Sequence, residues 1–455
     1  MPTPSASPPS AANHLLPVRL AALCTAVAAG LPNTAWAAPA APGLVAMADI
    51  SAADTAWVMV ATALVLLMTL PGIALFYGGM VRSKNVLNTM ASVVAVAAWV
   101  SLLWFAAAYS LAFTPNPLGW SWIGGWDRMG FQGLEWLGPQ GQVAVSHMAP
   151  HLPESVFALF QLAFAIITCA LVVGAVVERM RMAALLCFTG LWLLLVYAPV
   201  AHWVWEPGGW LAQMGALDFA GGAVVHINAG AAALVAAYAL GPRLGYGKEP
   251  FTPFNLGLTM AGTGLLWVGW FGFNAGSALA ADGRAGLAMV VTHVAAASGA
   301  LAWGASEWLL RKRVSLLGLC SGAVVGLVAI TPAAGFVGLR SAVMLGIAAG
   351  AVCYWGATGL KRALRADDSL DVFGVHGLGG LVGALGTGLL ADPAIGGVHG
   401  SVVTQVLASG AVLAYSLVGT AVVLWITSRI TPLRVTAEDE VAGLDMSLHA
   451  ERLGH

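Results

Sequence analysis

Residues 154–177 read ESVFALFQLAFAIITCALVVGAVV, and this stretch decides the fold class. Its only charged residue, Glu154, stands at the first position. A helix of about 20 mainly apolar residues is long enough to cross a hydrocarbon core of about 30 Å. The stretch is therefore expected to cross a membrane as a helix.

The whole chain has the same character, because 59% of its 455 residues are hydrophobic and only 9% are charged. Soluble domains have about 25% charged residues, so lipid is expected to be the main solvent of this chain. The net charge of −1 gives no basis for nucleic-acid binding. We predict an all-α polytopic protein with eleven transmembrane helices, near residues 55–80, 86–113, 154–177, 182–201, 218–240, 254–276, 285–310, 315–331, 336–360, 372–391 and 401–428.

Residues 1–37 are typical of a secretory signal peptide. Arg19 precedes an apolar run from Leu20 to Leu31, which is too short to span a bilayer, and Ala35-Trp36-Ala37 supplies the small residues of a cleavage site. An uncleaved extra helix is the alternative. With the mature N-terminus outside, fifteen of the 19 lysines and arginines are in cytoplasmic segments, against Arg128, Arg284 and Arg340 outside. The positive-inside rule thus places the C-terminus inside.

Eleven helices divide into two groups of five and a final helix. Two five-helix halves in series have opposite orientations, so we expect an inverted repeat over about 51–245 and 250–395, with the last helix at 401–428. Asp218 precedes His226 in the fifth span, and Asp371 precedes His376 in the tenth. Each acid can simply cap the N-terminus of its helix.

The interior of the spans contains few ionisable side chains, and none of the 20 acids falls in the middle of a span. His226 and His376 are the notable interior groups, and His293 is a weaker third. A structural, hydrogen-bonded role is the alternative for each. Two histidines without nearby cysteines or carboxylates make a weak metal site, so no metal and no cofactor are expected. The five cysteines are interpreted as small buried hydrophobic residues.

Aromatic residues cluster at the outer ends of several spans. Phe160 and Phe164 are one helical turn apart, Trp205 ends the fourth span, and Trp270, Phe273 and Ser277 end the sixth. Core packing is the usual role of such rings. At an outer membrane face, however, they can also bind a small cation through cation–π attraction without any fixed negative charge.

The chain resembles the ammonium transporter family (Amt/Mep/Rh), specifically its bacterial Amt type, from about residue 51 to the tail. The motifs that carry the resemblance are LPGIALFYGG at 70–79 in the first span, DFAGG at 218–222 with His226-Ile227-Asn228, GWFGFNAGS at 269–277 and DVFGVHG at 371–377. The resemblance implies an ammonium transporter of the cell inner membrane, which forms homotrimers and serves nitrogen assimilation. It implies no enzymatic activity.

The resemblance also implies roles for individual residues. Trp205, Phe160 and Ser277 match the outer ammonium-recruitment site, and Asp218 matches an acid that supports it. Phe160 and Phe273 match the stacked rings that close the pore, while Phe164 is nearest the recruitment aromatics. Which of Phe160 and Phe164 caps the cation stays open, as does the choice between Trp203 and Trp205.

His226 and His376 match the twin pore histidines of the family, and Trp270 belongs to the same pore lining. We expect NH4+ to be recruited outside and deprotonated, NH3 to pass through an apolar pore, and the proton to travel along the two histidines. Residues 38–430 are expected to form the transmembrane domain, and 431–455 to be a cytoplasmic tail of the kind that a PII-type signalling protein controls. A solvated, disordered tail is the alternative.

Three other functions are weighed against transport of ammonium. A sensor would need a cytoplasmic output domain, and a 25-residue tail is too short to fold alone. An intramembrane enzyme would need a nucleophile–base pair or a carboxylate dyad at membrane depth, and none is found. A neutral gas channel of the Rh type would differ by carrying no current.

Overall fold

A computed structural model describes residues 43–453 of the chain. The predicted signal peptide, residues 1–37, lies outside the described residues and stays a prediction. Within residues 43–453 the chain is mostly helical. Apolar helices occupy the positions of all eleven predicted spans: α1 Ala52–Met80, α2 Ser83–Phe113, α3 Glu154–Val176, α4 Met182–Gln213, α5 Gly222–Leu240, α6 Leu256–Gly276, α7 Gly283–Arg311, α8 Leu316–Ile330, α9 Leu339–Leu364, α10 Phe373–Leu390 and α11 Val402–Ile430.

Ten of these helices are long and apolar enough to cross a membrane, and α8 is a shorter apolar helix of 15 residues. The count of eleven crossings, the inverted repeat and the orientation of the termini therefore stay predictions. Several helices begin where the side chain of an N-cap residue accepts a backbone N–H bond. These N-cap residues are Ser51, Asn255, Asp282, Ser315 and Ser401. Such caps satisfy donors that a helix leaves free at its start.

Helix α3, the stretch that indicated a membrane protein, lies at the centre of the bundle. Nearly all of its side chains are buried by neighbouring helices. Its first residue, Glu154, accepts hydrogen bonds from the Tyr109 hydroxyl at 2.9 Å and from Arg128 Nε at 2.8 Å. These contacts anchor the end of α3 from which Phe160 and Phe164 project.

A small antiparallel sheet lies at the same end of the bundle as Glu154. It consists of β1 Gly43–Ala46, β2 Trp136–Leu137, β3 Gln142–Ser146 and β4 Ala149–Pro153, with β3 paired to each of the other three. The prediction of an all-α chain missed this sheet. Strand β1 pairs with β3 about 100 residues later, a long-range contact that no local pattern of residues indicates. We call this end of the bundle the aromatic end.

Charged side chains form a buried cluster at the opposite end, which we call the basic end. Arg243 donates to Glu178 at 2.6 Å and to Asp367 at 2.7 Å, and Arg82 contacts Glu178 at 3.1 Å. Burial opposes ionisation of Glu178, but Arg243 and Arg82 outweigh it and lower the pKa of this carboxyl to about 2. The cluster joins segments that are far apart in the chain.

The C-terminal tail packs against this end through two short helices, α12 Ala437–Ala442 and α13 Leu444–His449. Asp445 accepts a hydrogen bond from the backbone N–H of Asn88 at 2.8 Å, and Lys84 donates to the carbonyl of Glu440 at 2.8 Å. The side chain of Leu444 is fully buried. These contacts are made within one chain, and they distinguish the docked tail from a solvated, disordered one.

We expect Glu178→Gln to destabilise the protein by about 3–5 kcal/mol, because it leaves Arg82 and Arg243 buried without their shared counter-charge. The pKa of about 2 lies below the ordinary value of 4.5. The stabilisation that ionised Glu178 gives the folded wild-type protein is therefore fully present above pH 4.5 and is lost as the pH falls through 2. Thermal unfolding in detergent at pH 7 measures the loss. Glu438→Gln, at an exposed residue of the same end, is the control and should leave the unfolding temperature unchanged.

Candidate functional site

Aromatic rings from three helices meet at the aromatic end of the bundle. The indole of Trp205 stacks on Phe113, with centroids 6.3 Å apart, and meets the edge of Phe164 at 5.7 Å. Trp203, two residues earlier, faces elsewhere, because its ring packs on Tyr415 at 4.6 Å and its Nε1 donates to the carbonyl of Trp122. Of the two indoles, Trp205 is the one that belongs to this aromatic group.

The next layer contains a stacked pair of phenyl rings. Phe164 and Phe273 lie face to face with centroids 4.2 Å apart, and Phe160 meets Phe164 edge-on at 5.0 Å. The expected stack of Phe160 on Phe273 is therefore wrong. Phe160 lies nearer the start of α3, where its ring approaches Gly276, and the next helical turn brings Phe164 level with Phe273. All three phenyl rings are buried.

The remaining polar groups of the predicted recruitment site are Ser277 and Asp218. The Ser277 hydroxyl donates to the carbonyl of Phe273 at 2.9 Å, which leaves its oxygen lone pairs free to accept. Asp218 accepts the backbone N–H groups of residues 221–224 at 2.5–3.1 Å, and its carbonyl accepts the Trp205 Nε1–H at 2.9 Å. Burial raises the pKa of Asp218 to about 6 against the effect of those N–H groups. Its side chain thus caps α5 and its backbone holds Trp205.

Two histidines follow below the phenyl stack. His226 lies 6.1 Å from Phe273 and stacks on Trp270 at 5.4 Å, measured between centroids. Its Nδ1 lies 3.3 Å from the Nδ1 of His376, and both imidazoles are buried. A hydrogen bond between two Nδ1 atoms requires that one carries the hydrogen and the other accepts it. Histidines 150 residues apart in the chain thus form a single proton-sharing pair.

Local backbone structure brings the histidines together. Each lies in a π-helical turn, Gly222–Ile227 in α5 and Phe373–Gly377 in α10, and such turns are frequent at functional sites. The two helices cross at Gly230 and Gly377, where a Cβ added to Gly230 would lie 2.4 Å from the Cα of Gly377. A side chain at position 230 would therefore collide with the backbone of α10.

A cavity of about 250 Å³ continues from His376 toward the basic end. Its lining includes Tyr77, Trp303, Glu307 and Asp371. The indole Nε1 of Trp303 and the Nε2 of His226 are buried and have no hydrogen-bond partner within the described chain. From residue 43 to residue 453, no group of three histidines, cysteines or acids is arranged to hold a metal ion.

Sequence reasoning missed two residues of this region. Phe113 stacks on Trp205, but it follows no motif that would single it out from other apolar residues of α2. Asp368, rather than the expected Asp371, accepts the first N–H of α10, from Phe373 at 2.8 Å. Asp371 has a left-handed backbone (φ 59°) and pairs with Lys361 Nζ at 2.7 Å, so the reading of Asp371 as the helix cap is wrong. A signal was available, since Asp218 and Asp368 each precede their histidine by eight residues.

The fold and the site define a multi-pass α-helical membrane protein whose interior holds a phenyl stack and a histidine pair between the two ends of the bundle. The chain matches the model of the Ammonium Transporter Family over residues 56–453, and it belongs to that family. The motifs quoted above thus carry a resemblance that holds over most of the chain.

Individual relatives give the same assignment. The ammonium transporter of Bacillus subtilis (strain 168) is 46% identical over 409 residues, which cover 88% of this chain and 98% of that protein. The crystal structure of Candida albicans Mep2 superposes with a TM-score of 0.80 at 35% identity, covering 87% of this chain and 89% of that one. A structure described as a sensor Amt protein has a TM-score of 0.79 at 28% identity and covers 87% of this chain and 98% of that one.

We expect Gly230→Ala to destabilise the protein by about 1–3 kcal/mol, because the new methyl group must push α10 away from α5. The unfolding temperature in detergent measures this effect. Gly264→Ala is the matched control, since a Cβ at Gly264 of α6 meets nothing within 4 Å. Equal unfolding temperatures for the two variants would contradict the tight crossing.

Proposed function

We propose that this chain transports ammonium by recruiting NH4+ at the aromatic end, deprotonating it and conducting NH3, while the proton passes separately along His226 and His376. The observation that carries the proposal is the buried contact of 3.3 Å between the two Nδ1 atoms, directly below a phenyl stack. We further propose that the aromatic end faces outward, in a homotrimer of the inner membrane, and that transport supplies nitrogen assimilation.

Recruitment relies on rings and a hydroxyl. The faces of Trp205 and Phe160 attract a cation by about 0.5–2 kcal/mol, more where water is excluded. The Ser277 oxygen can accept an N–H of the ion, because its own hydrogen is directed to the carbonyl of Phe273. Asp218 is occupied by four backbone N–H groups, so its role is to hold the entrance rather than to bind the ion directly.

The phenyl stack favours a neutral passenger. Phe164 and Phe273 at 4.2 Å leave no room for a hydrated ion between the rings, so passage requires that the rings move and that the ion loses its water. Ammonium resembles a lysine head group, whose reference pKa is about 10.4, and desolvation can lower the pKa of such a cation by about 3–5 units. Loss of a proton then becomes competitive near neutral pH.

The histidine pair provides a path for the released proton. One hydrogen is shared between the two Nδ1 atoms, so a proton that arrives at one imidazole can leave from the other. Below the pair, His376 borders the cavity that leads toward the basic end. Net transport is therefore electrogenic, although NH3 itself crosses without charge.

The docked tail supports a regulatory proposal. Glu440 joins Arg434 at 2.7 Å and accepts the backbone N–H of Leu244 at 2.7 Å, so the tail and the loop after α5 form one surface at the basic end. We propose that a PII-type signalling protein binds this face. The likeness to a sensor Amt protein makes regulation at this face the second function to examine.

Replacing His226 and His376 together by leucine should abolish ammonium-evoked current, because no other buried pair of titratable rings adjoins the phenyl stack in residues 43–453. Currents from purified protein in liposomes on a solid-supported membrane measure this. His293→Leu, at an exposed ring beside Trp267, is the control and should keep the current. An undiminished current in the double variant would refute the relay.

Trp205→Leu should raise the ammonium concentration for half-maximal current by about 2- to 30-fold, which corresponds to the loss of about 0.5–2 kcal/mol of cation–π attraction. Trp203→Leu is the matched control, because Trp203 packs on Tyr415 outside the aromatic group. The concentration dependence of the current separates the two variants. An equal shift in both would assign recruitment to neither indole.

A further inference from the structure

The two buried aspartates at the ends of the path occupy equivalent positions. Asp218 lies eight residues before His226, and Asp368 lies eight residues before His376. At the start of the π-helical turn that carries its histidine, Asp218 accepts four backbone N–H groups and Asp368 accepts that of Phe373. Asp218 lies at the aromatic end, next to Trp205, and Asp368 lies at the basic end.

The two carboxylates differ in how many of their oxygens accept hydrogen bonds. Both oxygens of Asp218 accept two N–H groups each. Oδ2 of Asp368 accepts the N–H of Phe373, but its Oδ1 is buried and has no hydrogen-bond partner among the residues that the structure describes. Asp368 as a whole residue is only 3% exposed. An ionised oxygen in such a place is costly, and protonation relieves the cost.

Charged and titratable groups from three elements face Asp368. Lys361 of α9, which pairs with Asp371 at 2.7 Å, favours the negative charge of Asp368. The carboxylate of Asp371 opposes that charge. Tyr77 of α1 and Arg179, just after α3, also lie within electrostatic reach, and Arg179 donates to the neighbouring Asp367 carbonyl at 2.6 Å. Burial raises the pKa of Asp368 to about 6, against the effect of Lys361.

We propose that Asp368 is a positioning residue that makes transport sensitive to pH at the basic end, because its carboxylate holds the turn Phe373–Gly377 and its protonation releases that turn. A carboxylate at a helix N-terminus is stabilised by the N–H groups and the helix dipole, and a neutral acid loses most of that attraction. His376 lies in the same turn, so release alters its contact with His226. Acidification toward pH 5 therefore lowers transport. This inference rests on the proposed function.

Asp368→Asn tests the inference, because the amide has the shape of the acid but never ionises. We expect the variant to carry several-fold less ammonium current than the wild type at pH 7.5. At pH 5 the two currents should converge, since wild-type Asp368 is then protonated. Solid-supported-membrane currents at equal pH on both sides, from 5.0 to 7.5, give the ratio of variant to wild type. Every other titratable group, including Asp218, is present in both proteins, so its effect on the current cancels in this ratio.

A ratio that stays constant with pH would overturn the proposal, as would equal currents at pH 7.5. Glu438→Gln is the control variant, and its ratio to wild type should be one throughout. If Asp368→Asn fails to fold, Lys361→Gln and Asp371→Asn decide the question. The first should move the midpoint of the pH dependence upward and the second downward, and unmoved midpoints would overturn the proposal. Absence of wild-type current at every pH would instead contradict the proposed function itself, and this inference with it.

Discussion

The crossing of α5 and α10 is the constraint on which the interior of this protein depends. Gly230 and Gly377 let the two backbones approach so closely that a single added methyl group would collide. That approach places Nδ1 of His226 3.3 Å from Nδ1 of His376, with neither ring exposed to lipid. Transmembrane helices pack through small residues because lipid provides no hydrophobic force between them. Here the same packing rule also creates the polar centre of the path.

Around this crossing, the path changes character from one end to the other. Aromatic faces at one end give way to a phenyl stack, then to the two imidazoles, and finally to a cavity that includes carboxylates. Trp205 contacts the uncharged rings of Phe113 and Phe164, and the carboxylate of Asp218 is occupied by backbone N–H groups. The arrangement suits a passenger that arrives as a weakly attracted cation and continues as a neutral molecule.

The basic end is held by buried charges rather than by apolar contacts alone. Glu178, Arg243 and Asp367 join the ends of α3, α5 and α9, and the docked tail adds Glu440 and Arg434 to the same region. Buried ion pairs lose their benefit when one partner is removed, so this end is sensitive to any change in the charge of its members. Asp368 is next to Asp367 of this cluster in the chain, and its buried Oδ1 has no hydrogen-bond partner among residues 43–453.

The sequence alone determined that the chain is a helical membrane protein, where its apolar helices lie, and that His226, His376 and a set of aromatic rings belong to its interior. Hydropathy is a local property, and the cost of a buried titratable group marks such a residue wherever it occurs. The partner of each side chain was decided only by the tertiary structure. Helix rotation decides that Phe164 rather than Phe160 stacks on Phe273. Contacts between separate segments decide that Asp368 rather than Asp371 caps α10, and that β1 pairs with β3. One residue along a helix changes the direction of a side chain by about 100°, so spacing can propose such contacts but packing must select among them.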